Sequence, residues 1–218
     1  LALKGTLRRR RGEAPTKKMK AALPPDVVRL LDAARAQDSP GQAVRDPALL
    51  LLLFSHGFRR SEVADIYYPG NLNLHSDPPV VTLGRTKTAE AGRKLPLLHQ
   101  GVVDALTAWL AYRSPLQGPL FLPVGRGGSC IWTPDGAGGI KPLTGHSVAR
   151  IIKRAAKAAG FDPKEFAGHS LRRGFATNGY RQGIDEQLIQ KSLGHKLADT
   201  TRGYREEGLL GDAVEWAA

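Results

Sequence analysis

The sequence has little cysteine and no long apolar run, and both shortages exclude whole classes of protein. Cys130 is the only cysteine among 218 residues, which excludes an internal disulfide and any cysteine-based zinc cluster. The longest apolar run, residues 48–54, is far shorter than the roughly 18 to 20 residues that a membrane-spanning helix needs. The first residues also lack an apolar segment that ends in a small-residue cleavage site, so we expect no signal peptide and a cytoplasmic protein.

Acidic residues are scarce relative to basic ones. The chain holds 32 Lys and Arg against 20 Asp and Glu, a net charge of +12, and its isoelectric point is about 10.1. This excess predicts a polyanionic partner, which leaves DNA, RNA and an anionic membrane surface as candidates. The other proportions, 41% hydrophobic and 24% charged residues, are typical of a globular domain, and the length suffices for a sizeable core.

More than half of the positive charge lies at the start of the chain. Residues 1–20 contain eight basic residues against Glu13 alone, a net charge of +7, so the other 198 residues carry +5. A basic segment with so little hydrophobic pattern predicts a flexible arm or interdomain linker, and a solvated tail without a specific partner is the alternative. Because the chain does not begin with Met, we expect a longer protein whose missing part lies on the N-terminal side.

Helical patterns dominate the chain. A helix is predicted to begin at Pro24, and a second one to begin at Asp46 and Pro47 and to form a central core element, since it is apolar almost all round. From Thr144 onwards the pattern is helical, interrupted by glycines at the expected helix ends. The further predicted helices cover residues 102–112, 147–159, 170–181, 185–193, 199–206 and 211–217.

Strand patterns are few and short. Val80–Leu83 and residues 94–97 are apolar runs separated by a polar loop that contains Lys87, which predicts a small hairpin. A further strand is predicted at residues 120–124. The predicted fold class is therefore mainly α with a small antiparallel β-sheet.

The chemistry-bearing residues are weak signals when each is taken alone. Arg59 and Glu62 fit an ordinary surface pair, Lys87 an exposed loop charge, and Tyr204 a core aromatic. As a set, two Arg, two His, one Lys and one Tyr without a carboxylate cluster match the needs of metal-free phosphoryl transfer, in which cationic donors neutralise the phosphate oxygens. That set comprises Arg59, Lys87, His169, Arg172, His195 and Tyr204.

Five segments in order resemble the motifs of the tyrosine recombinases, also called the phage integrase family. GFRRSEV at 57–63 is similar to the first arginine motif, and GRTKT at 84–88 followed by KLPL at 94–97 to the hairpin lysine. GHSLRRGFAT at 168–177 resembles the His-x-x-Arg motif, and LGHK at 193–196 the second histidine box. Tyr204 follows His195 by nine residues, as the family's nucleophile does.

The resemblance implies a role for each of these residues. Tyr204 attacks a DNA phosphate to form a 3′-phosphotyrosine, His169 helps to remove the tyrosine proton, and Lys87 protonates the leaving 5′-oxygen. Arg59 and Arg172 clamp the phosphate. The remaining implied roles fall to His195, which adds a hydrogen bond, and to Glu62, which orients the donors.

The resemblance also implies no metal, no cofactor and no ATP. Duplex DNA with a specific recombination site is the implied partner, which adds a nucleoid association to the cytoplasmic expectation. We expect contacts with DNA from the arm and from residues beside the motifs. These expected DNA-binding residues are Arg8, Arg9, Arg10, Arg11, Lys17, Lys18, Arg85 and Arg173.

The implied domain organisation is a basic linker over 1–20, a catalytic domain over 21–206 and a C-terminal tail helix over 207–218. The family's N-terminal core-binding domain is absent from this sequence. The tail has two open placements, on a neighbouring protomer or folded back in cis. The resemblance implies a homotetramer on synapsed DNA and a monomer when free.

The leading interpretation is the catalytic domain of an integrase from a phage or other mobile element. A type IB topoisomerase, which has a similar active site, and a DNA-binding regulator that does not cut are the alternatives. An RNA-binding module is disfavoured because the sequence has no aromatic RNP run.

Overall fold

The computed structural model describes residues 19–84 and 92–194. The predicted helices at 199–206 and 211–217, the tail 207–218 and most of the basic arm lie outside these residues. So do the predicted site residues Arg8, Arg9, Arg10, Arg11, Lys17, Lys18, Arg85, Lys87, His195 and Tyr204.

The described part of the chain is mainly helical, as predicted. It comprises seven helices and five short strands. In chain order these are α1 (Pro24–Arg35), α2 (Pro40–His56), α3 (Arg60–Ala64), β1 (Tyr67–Tyr68), β2 (Leu72–Asn73), β3 (Val80–Leu83), β4 (Arg93–Pro96), α4 (Gln100–Arg113), β5 (Gly118–Pro119), α5 (Gly145–Ala158), α6 (Gly168–Arg181) and α7 (Glu186–Leu193).

Helix α2 is the centre of the core, which confirms the prediction made from its apolar run. Leu49, Leu50, Leu52 and Leu53 are fully buried, and the helix packs against α1, α3, α4 and α6. A helix that is apolar on all sides is stable only when other elements cover every side. The site residues that follow α2 are therefore attached to the central helix of the core.

The predicted start of α2 was wrong by nearly two turns. The helix begins at Pro40 and continues through Pro47, although a proline inside a helix removes one backbone hydrogen bond. The side chains of Arg45 and Asp46 are buried in this turn, and Arg154 of α5 binds the Asp46 carboxylate at 2.6 Å. These tertiary ion pairs hold the turn before the proline in helical conformation, which a local sequence pattern does not register.

The predicted hairpin is present, but the sheet content differs from the prediction. Strands β3 and β4 pair antiparallel, with Val81 opposite Leu95, and β2 adds a third strand on the other side of β3. A second, two-stranded sheet pairs β1 with β5. The strand predicted at 120–124 was wrong: β5 lies earlier, at Gly118–Pro119, because Tyr67 and Tyr68 provide its hydrogen-bonding edge.

The C-terminal helices agree with the predicted ones to within two residues at each end. Helix α5 begins where the Thr144 side chain accepts a hydrogen bond from the Ser147 amide, and α7 begins where Asp185 caps its first turn. Such side-chain caps satisfy amides that have no partner within the helix. Local chemistry therefore suffices to place these ends.

Candidate active site

The first arginine motif lies at the start of α3, and Glu62 organises it. Glu62 Oε2 accepts a hydrogen bond from the Arg59 backbone amide at 2.7 Å, and its Oε1 accepts one from Arg59 Nη1 at 2.9 Å. The Glu62 side chain is 8% exposed, whereas that of Arg59 is 46% exposed. The carboxylate thus caps the helix and holds the Arg59 guanidinium at the protein surface.

Gly57 connects this motif to the core helix. It ends α2 in the left-handed conformation, with φ of 61°. A Cβ atom at this position would lie 2.6 Å from Leu193 Cδ2 and 2.8 Å from Phe175 Cδ1. Glycine is required here both by the backbone conformation and by the close approach of α6 and α7.

The His-x-x-Arg motif forms the first turn of α6. Ser170 Oγ accepts a hydrogen bond from the Ala167 amide at 3.1 Å and donates one to the Glu165 carbonyl at 3.1 Å, which fixes the helix start. His169 is exposed, whereas the Arg172 side chain is buried. His169 and Arg172 therefore occupy a surface and an interior position of the same helical turn.

Arg172 joins the ends of two other segments. Its Nη1 donates to the Gly57 carbonyl at 2.6 Å, and its Nη2 donates to the Leu193 carbonyl at 2.8 Å. These carbonyls precede Arg59 and the position of His195 by two residues each. One buried guanidinium consequently holds the first arginine motif, α6 and the end of α7 together.

Arg93, the first residue of β4, belongs to the same cluster, and the sequence analysis missed it. Its Nη2 donates to Glu62 Oε1 at 3.0 Å, and its Nη1 donates to the carbonyls of Ser192 at 2.6 Å and Lys191 at 3.2 Å. Burial lowers the pKa of Arg93, and the Glu62 charge opposes that shift. Its position directly before the KLPL run was the one available sequence signal, and that signal does not indicate a partner.

His56 lies beneath this cluster, and it too was missed. Its Nε2 lies 3.0 Å from the Pro96 carbonyl, its ring stacks on Phe58, and its own carbonyl accepts a hydrogen bond from Ser192 Oγ at 3.1 Å. Burial lowers the pKa of His56, the Pro96 carbonyl raises it, and the Arg93 charge lowers it further. The net lowering favours the neutral ring.

Arg173, expected to contact DNA, is largely buried. Its Nη1 donates a hydrogen bond to the Met19 carbonyl. The neighbouring Ala22 amide donates to the Ser170 carbonyl at 3.0 Å. The described start of the chain therefore lies along α6, and Arg173 holds it there.

Among residues 19–84 and 92–194, His, Cys, Asp and Glu side chains do not form any group of three that could ligate a metal ion. No helix of the same residues has the length and apolar character needed to cross a membrane.

The described cluster has the chemistry of an anion site. Arg59, Arg93 and Arg172 supply three guanidinium groups, and Glu62 is the one carboxylate that binds two of them. Guanidinium groups bind phosphate oxygens through paired N–H donors and stay charged at any physiological pH. Arg59 is the most exposed of these three arginines.

The sequence matches a known family over most of its length. Residues 23–208 match the profile of the phage integrase family. An integrase/recombinase XerD homolog of Selenomonas ruminantium is 34% identical over 172 residues, which are 76% of this chain and 48% of that protein. Tyrosine recombinase XerD of Caulobacter vibrioides is 33% identical over 179 residues, 82% of this chain and 54% of that one. The chain thus spans about half the length of these relatives.

Solved structures show the same fold. XerA recombinase superimposes with a TM-score of 0.68 at 21% identity, over 94% of this chain and 66% of that one. The Tn1549 transposon integrase, solved in complex with transposon right end DNA, has a TM-score of 0.68 at 16% identity, over 95% and 69% of the two chains. The fold class predicted from the sequence is confirmed. Together with the match over residues 23–208, these similarities establish that the chain belongs to the phage integrase family.

Proposed function

We propose that this chain is the catalytic domain of a site-specific DNA recombinase, which cleaves and rejoins duplex DNA without a metal or a cofactor. The observation that carries the proposal is the pair of hydrogen bonds from Arg172 to the Gly57 and Leu193 carbonyls. Through them, segments that are far apart in sequence converge on one point. Family membership supports assigning the family's chemistry to that point.

The proposed reaction begins with Tyr204. Its hydroxyl oxygen attacks the phosphorus of a scissile phosphodiester, and the bond from phosphorus to the 5′-oxygen breaks. A tyrosine hydroxyl has an ordinary pKa of about 10, so His169 takes the proton as general base, and Lys87 gives a proton to the leaving 5′-oxygen. The products are a 3′-phosphotyrosine and a 5′-hydroxyl.

Rejoining is the same chemistry in reverse. A 5′-hydroxyl, from the same strand or from a partner strand, attacks the phosphotyrosine and releases Tyr204. Because the phosphotyrosine retains the energy of the phosphodiester bond, the cycle needs no ATP. Attack by a partner strand recombines the two DNA molecules.

Arg59 and Arg172 are the proposed clamp on the nonbridging oxygens, and His195 adds a hydrogen bond. The surface position of Arg59 supports its role, since Glu62 fixes the direction of a side chain that is nearly half exposed. Arg172 donates to two carbonyls from its terminal nitrogens, which fixes the orientation of its planar guanidinium group. Removal of one such preorganised donor typically costs about 10²- to 10³-fold in rate.

The test uses a pool of nicked suicide duplexes with a randomised core. After cleavage, the short fragment with the 5′-hydroxyl diffuses away and traps the covalent adduct, which a denaturing gel and peptide mass analysis then detect. We expect an adduct on Tyr204 with the 218-residue chain and none with Tyr204→Phe. Tyr67→Phe, which alters an exposed tyrosine of β1, is the matched control and should retain the adduct.

The remaining outcomes separate the alternatives. An adduct that persists in Tyr204→Phe overturns the mechanism. Relaxation of supercoiled plasmid without strand exchange favours a type IB topoisomerase. DNA binding without any adduct across the pool favours a regulator that does not cut.

The proposed partner is duplex DNA, which would place the protein with the bacterial nucleoid in the cytoplasm. The net charge of +12 supports this, as do the structures of XerH bound to its difH substrate and of the Tn1549 integrase bound to DNA. The arm residues Arg8 to Arg11, with Lys17 and Lys18, are proposed to contact phosphates, together with Arg85. Arg173 is left out of this proposal because it is buried and donates to the Met19 carbonyl. Binding should weaken steeply with salt, because each phosphate contact releases counterions.

The proposed assembly is a monomer in solution and a homotetramer on synapsed DNA. The proposed organisation is a linker over residues 1–20, a catalytic domain over residues 21–206, and a 207–218 tail helix that docks on a neighbouring protomer or folds back in cis. Light scattering with and without bound DNA measures both states. Removal of 207–218 should abolish the tetramer if the tail docks in trans and leave it intact if the tail folds back in cis.

A further inference from the structure

We propose that Arg93 is a positioning residue of the active site, one that sets the charge of Arg59 and the position of the segment that leads to His195. The inference rests on the proposed recombinase function. Arg93 is not one of the residues assigned to the phosphate or to proton transfer. Its contacts connect three segments that carry those residues.

The first connection is with the arginine motif. Arg93 Nη2 and Arg59 Nη1 both donate to Glu62 Oε1, at 3.0 and 2.9 Å. Two guanidinium groups that share one carboxylate leave a net charge of +1. Without Arg93, the Glu62 charge would be balanced by Arg59 alone, and the trio would lose the positive charge that attracts a phosphate.

The second connection is with the end of α7. Arg93 Nη1 donates to the carbonyls of Lys191 and Ser192, which lie in the last turn of the helix. Helix-end carbonyls have no partner within the helix, and a cation there also interacts favourably with the helix dipole. Arg93 therefore fixes the last turn of α7, directly before Gly194.

Gly194 shows how closely the two segments meet. It ends α7 with φ of 64°, and a Cβ atom there would lie 2.5 Å from Arg93 Nη1. The absence of a side chain at Gly194 is what admits the guanidinium to the helix end. The fit is specific to Arg93, since the contacting atoms are its Nη1, Cζ and Nε.

The third connection is with the hairpin that carries Lys87. Arg93 is the first residue of β4, six residues after Lys87, and its side chain is only 18% exposed. A buried side chain at the base of a loop ties that base to its neighbours. Arg93 thus anchors the returning strand of the hairpin to α3 and α7 at once.

The test is a double-mutant cycle on the rate of adduct formation under single-turnover conditions. We expect Arg93→Ala and Glu62→Gln each to slow cleavage by about 10- to 100-fold, since misplacement of about 1 Å can cost 10²-fold. The double variant should be little slower than either single one, because each removes the same linkage. Arg93→Lys keeps the charge but has a single nitrogen for three acceptors, so it should recover only part of the rate.

The matched control is Arg154→Ala, which removes another arginine bound to a carboxylate, far from these motifs in sequence. It should cleave at the wild-type rate once the fraction folded is equal. Thermal melting checks folding, and Arg93→Lys keeps the test usable if Arg93→Ala unfolds. Addition of guanidinium ion at low concentration should partly restore Arg93→Ala and leave Arg154→Ala unchanged, a response that lost stability does not produce.

Two results overturn the inference. The first is a wild-type cleavage rate in folded Arg93→Ala. The second is a double variant whose rate falls by the product of the Arg93→Ala and Glu62→Gln effects, because independent effects would mean that Arg93 does not act through Glu62. Failure of the underlying function is distinguishable, because then the wild-type chain itself forms no adduct.

Discussion

Two carboxylates in this protein are each shared between two arginines, yet they serve different ends. Asp46 binds Arg45 at 2.7 Å and Arg154 at 2.6 Å, and Glu62 binds Arg59 at 2.9 Å and Arg93 at 3.0 Å. We call these sets the Asp46 trio (Asp46, Arg45 and Arg154) and the Glu62 trio (Glu62, Arg59 and Arg93). In each trio the carboxylate is buried and one arginine is about 45% exposed. The local electrostatics are therefore nearly the same.

The difference lies in what the arginines connect. Arg45 donates to the Leu122 carbonyl at 3.1 Å and Arg154 comes from α5, so the Asp46 trio joins parts of the scaffold. The Glu62 trio joins α3, β4 and α7, each of which borders a motif residue. A buried ion pair identifies a site only through the segments that it joins, and four substitutions test this difference.

The largest effect is expected from Asp46→Asn. Loss of this carboxylate leaves the buried Arg45 charge without its partner, which should reduce the free energy of unfolding by about 3 to 5 kcal/mol. Urea unfolding measures the loss. Asp32→Asn, at an exposed pair with Arg35, is the control and should change stability by less than about 1 kcal/mol.

Cleavage per folded molecule should be unchanged in Asp46→Asn. A large drop in that rate would show that the Asp46 trio also positions the site, and the distinction between the two trios would fail.

Glu62→Gln should show the opposite of Asp46→Asn, a small loss of stability and a large loss of cleavage rate. The glutamine oxygen still accepts from the Arg59 amide, so the helix cap survives, and the stability loss should be smaller than in Asp46→Asn. Loss of the charge leaves Arg59 and Arg93 to repel each other, and cleavage should fall by about 10- to 100-fold. Adduct formation and urea unfolding on the same preparation measure both. Equal losses of stability in Glu62→Gln and Asp46→Asn, with normal cleavage in both, would contradict the comparison.

A smaller effect is expected from Gly194→Ala, which perturbs only the contact between Arg93 and the end of α7. The left-handed backbone costs an alanine about 1 kcal/mol, and its Cβ displaces the Arg93 guanidinium. Cleavage should slow by less than in Arg93→Ala, since only the contact with α7 is disturbed. Gly183→Ala, at φ of 71° with open space around it, controls for the backbone cost and should cleave normally.

The smallest effect concerns pH. The pKa of His56 is lowered in the folded state, so its stabilising contribution is complete above the ordinary pKa of about 6.5 and is lost as pH falls toward the folded pKa. Each unit of the difference is worth about 1.4 kcal/mol. Urea unfolding at a series of pH values from above to below about 6.5 measures the loss. His56→Gln should show a flatter profile than the wild type, and an unchanged profile would contradict the assignment.

The helices and the family could be predicted from the sequence because their signals are local. A cap at Thr144, a glycine at Gly57 and an apolar stripe of period 3.6 act within a few residues. The motif residues Arg59, Glu62, His169 and Arg172 were identified in the same way, by short runs in a fixed order. The predicted start of α2 and the predicted strand at residues 120–124 were wrong because partners that are distant in sequence decide where these elements lie.

The sequence by itself determined the residue types available for phosphate chemistry, the excess of positive charge and the order of the helices. The tertiary structure alone decided which distant arginine joins each carboxylate. Arg93 meets Glu62 across 31 residues, and Arg172 meets the Gly57 carbonyl across 115. Contacts over such separations leave no periodic trace in the chain, since they depend on how buried helices pack and not on any local preference.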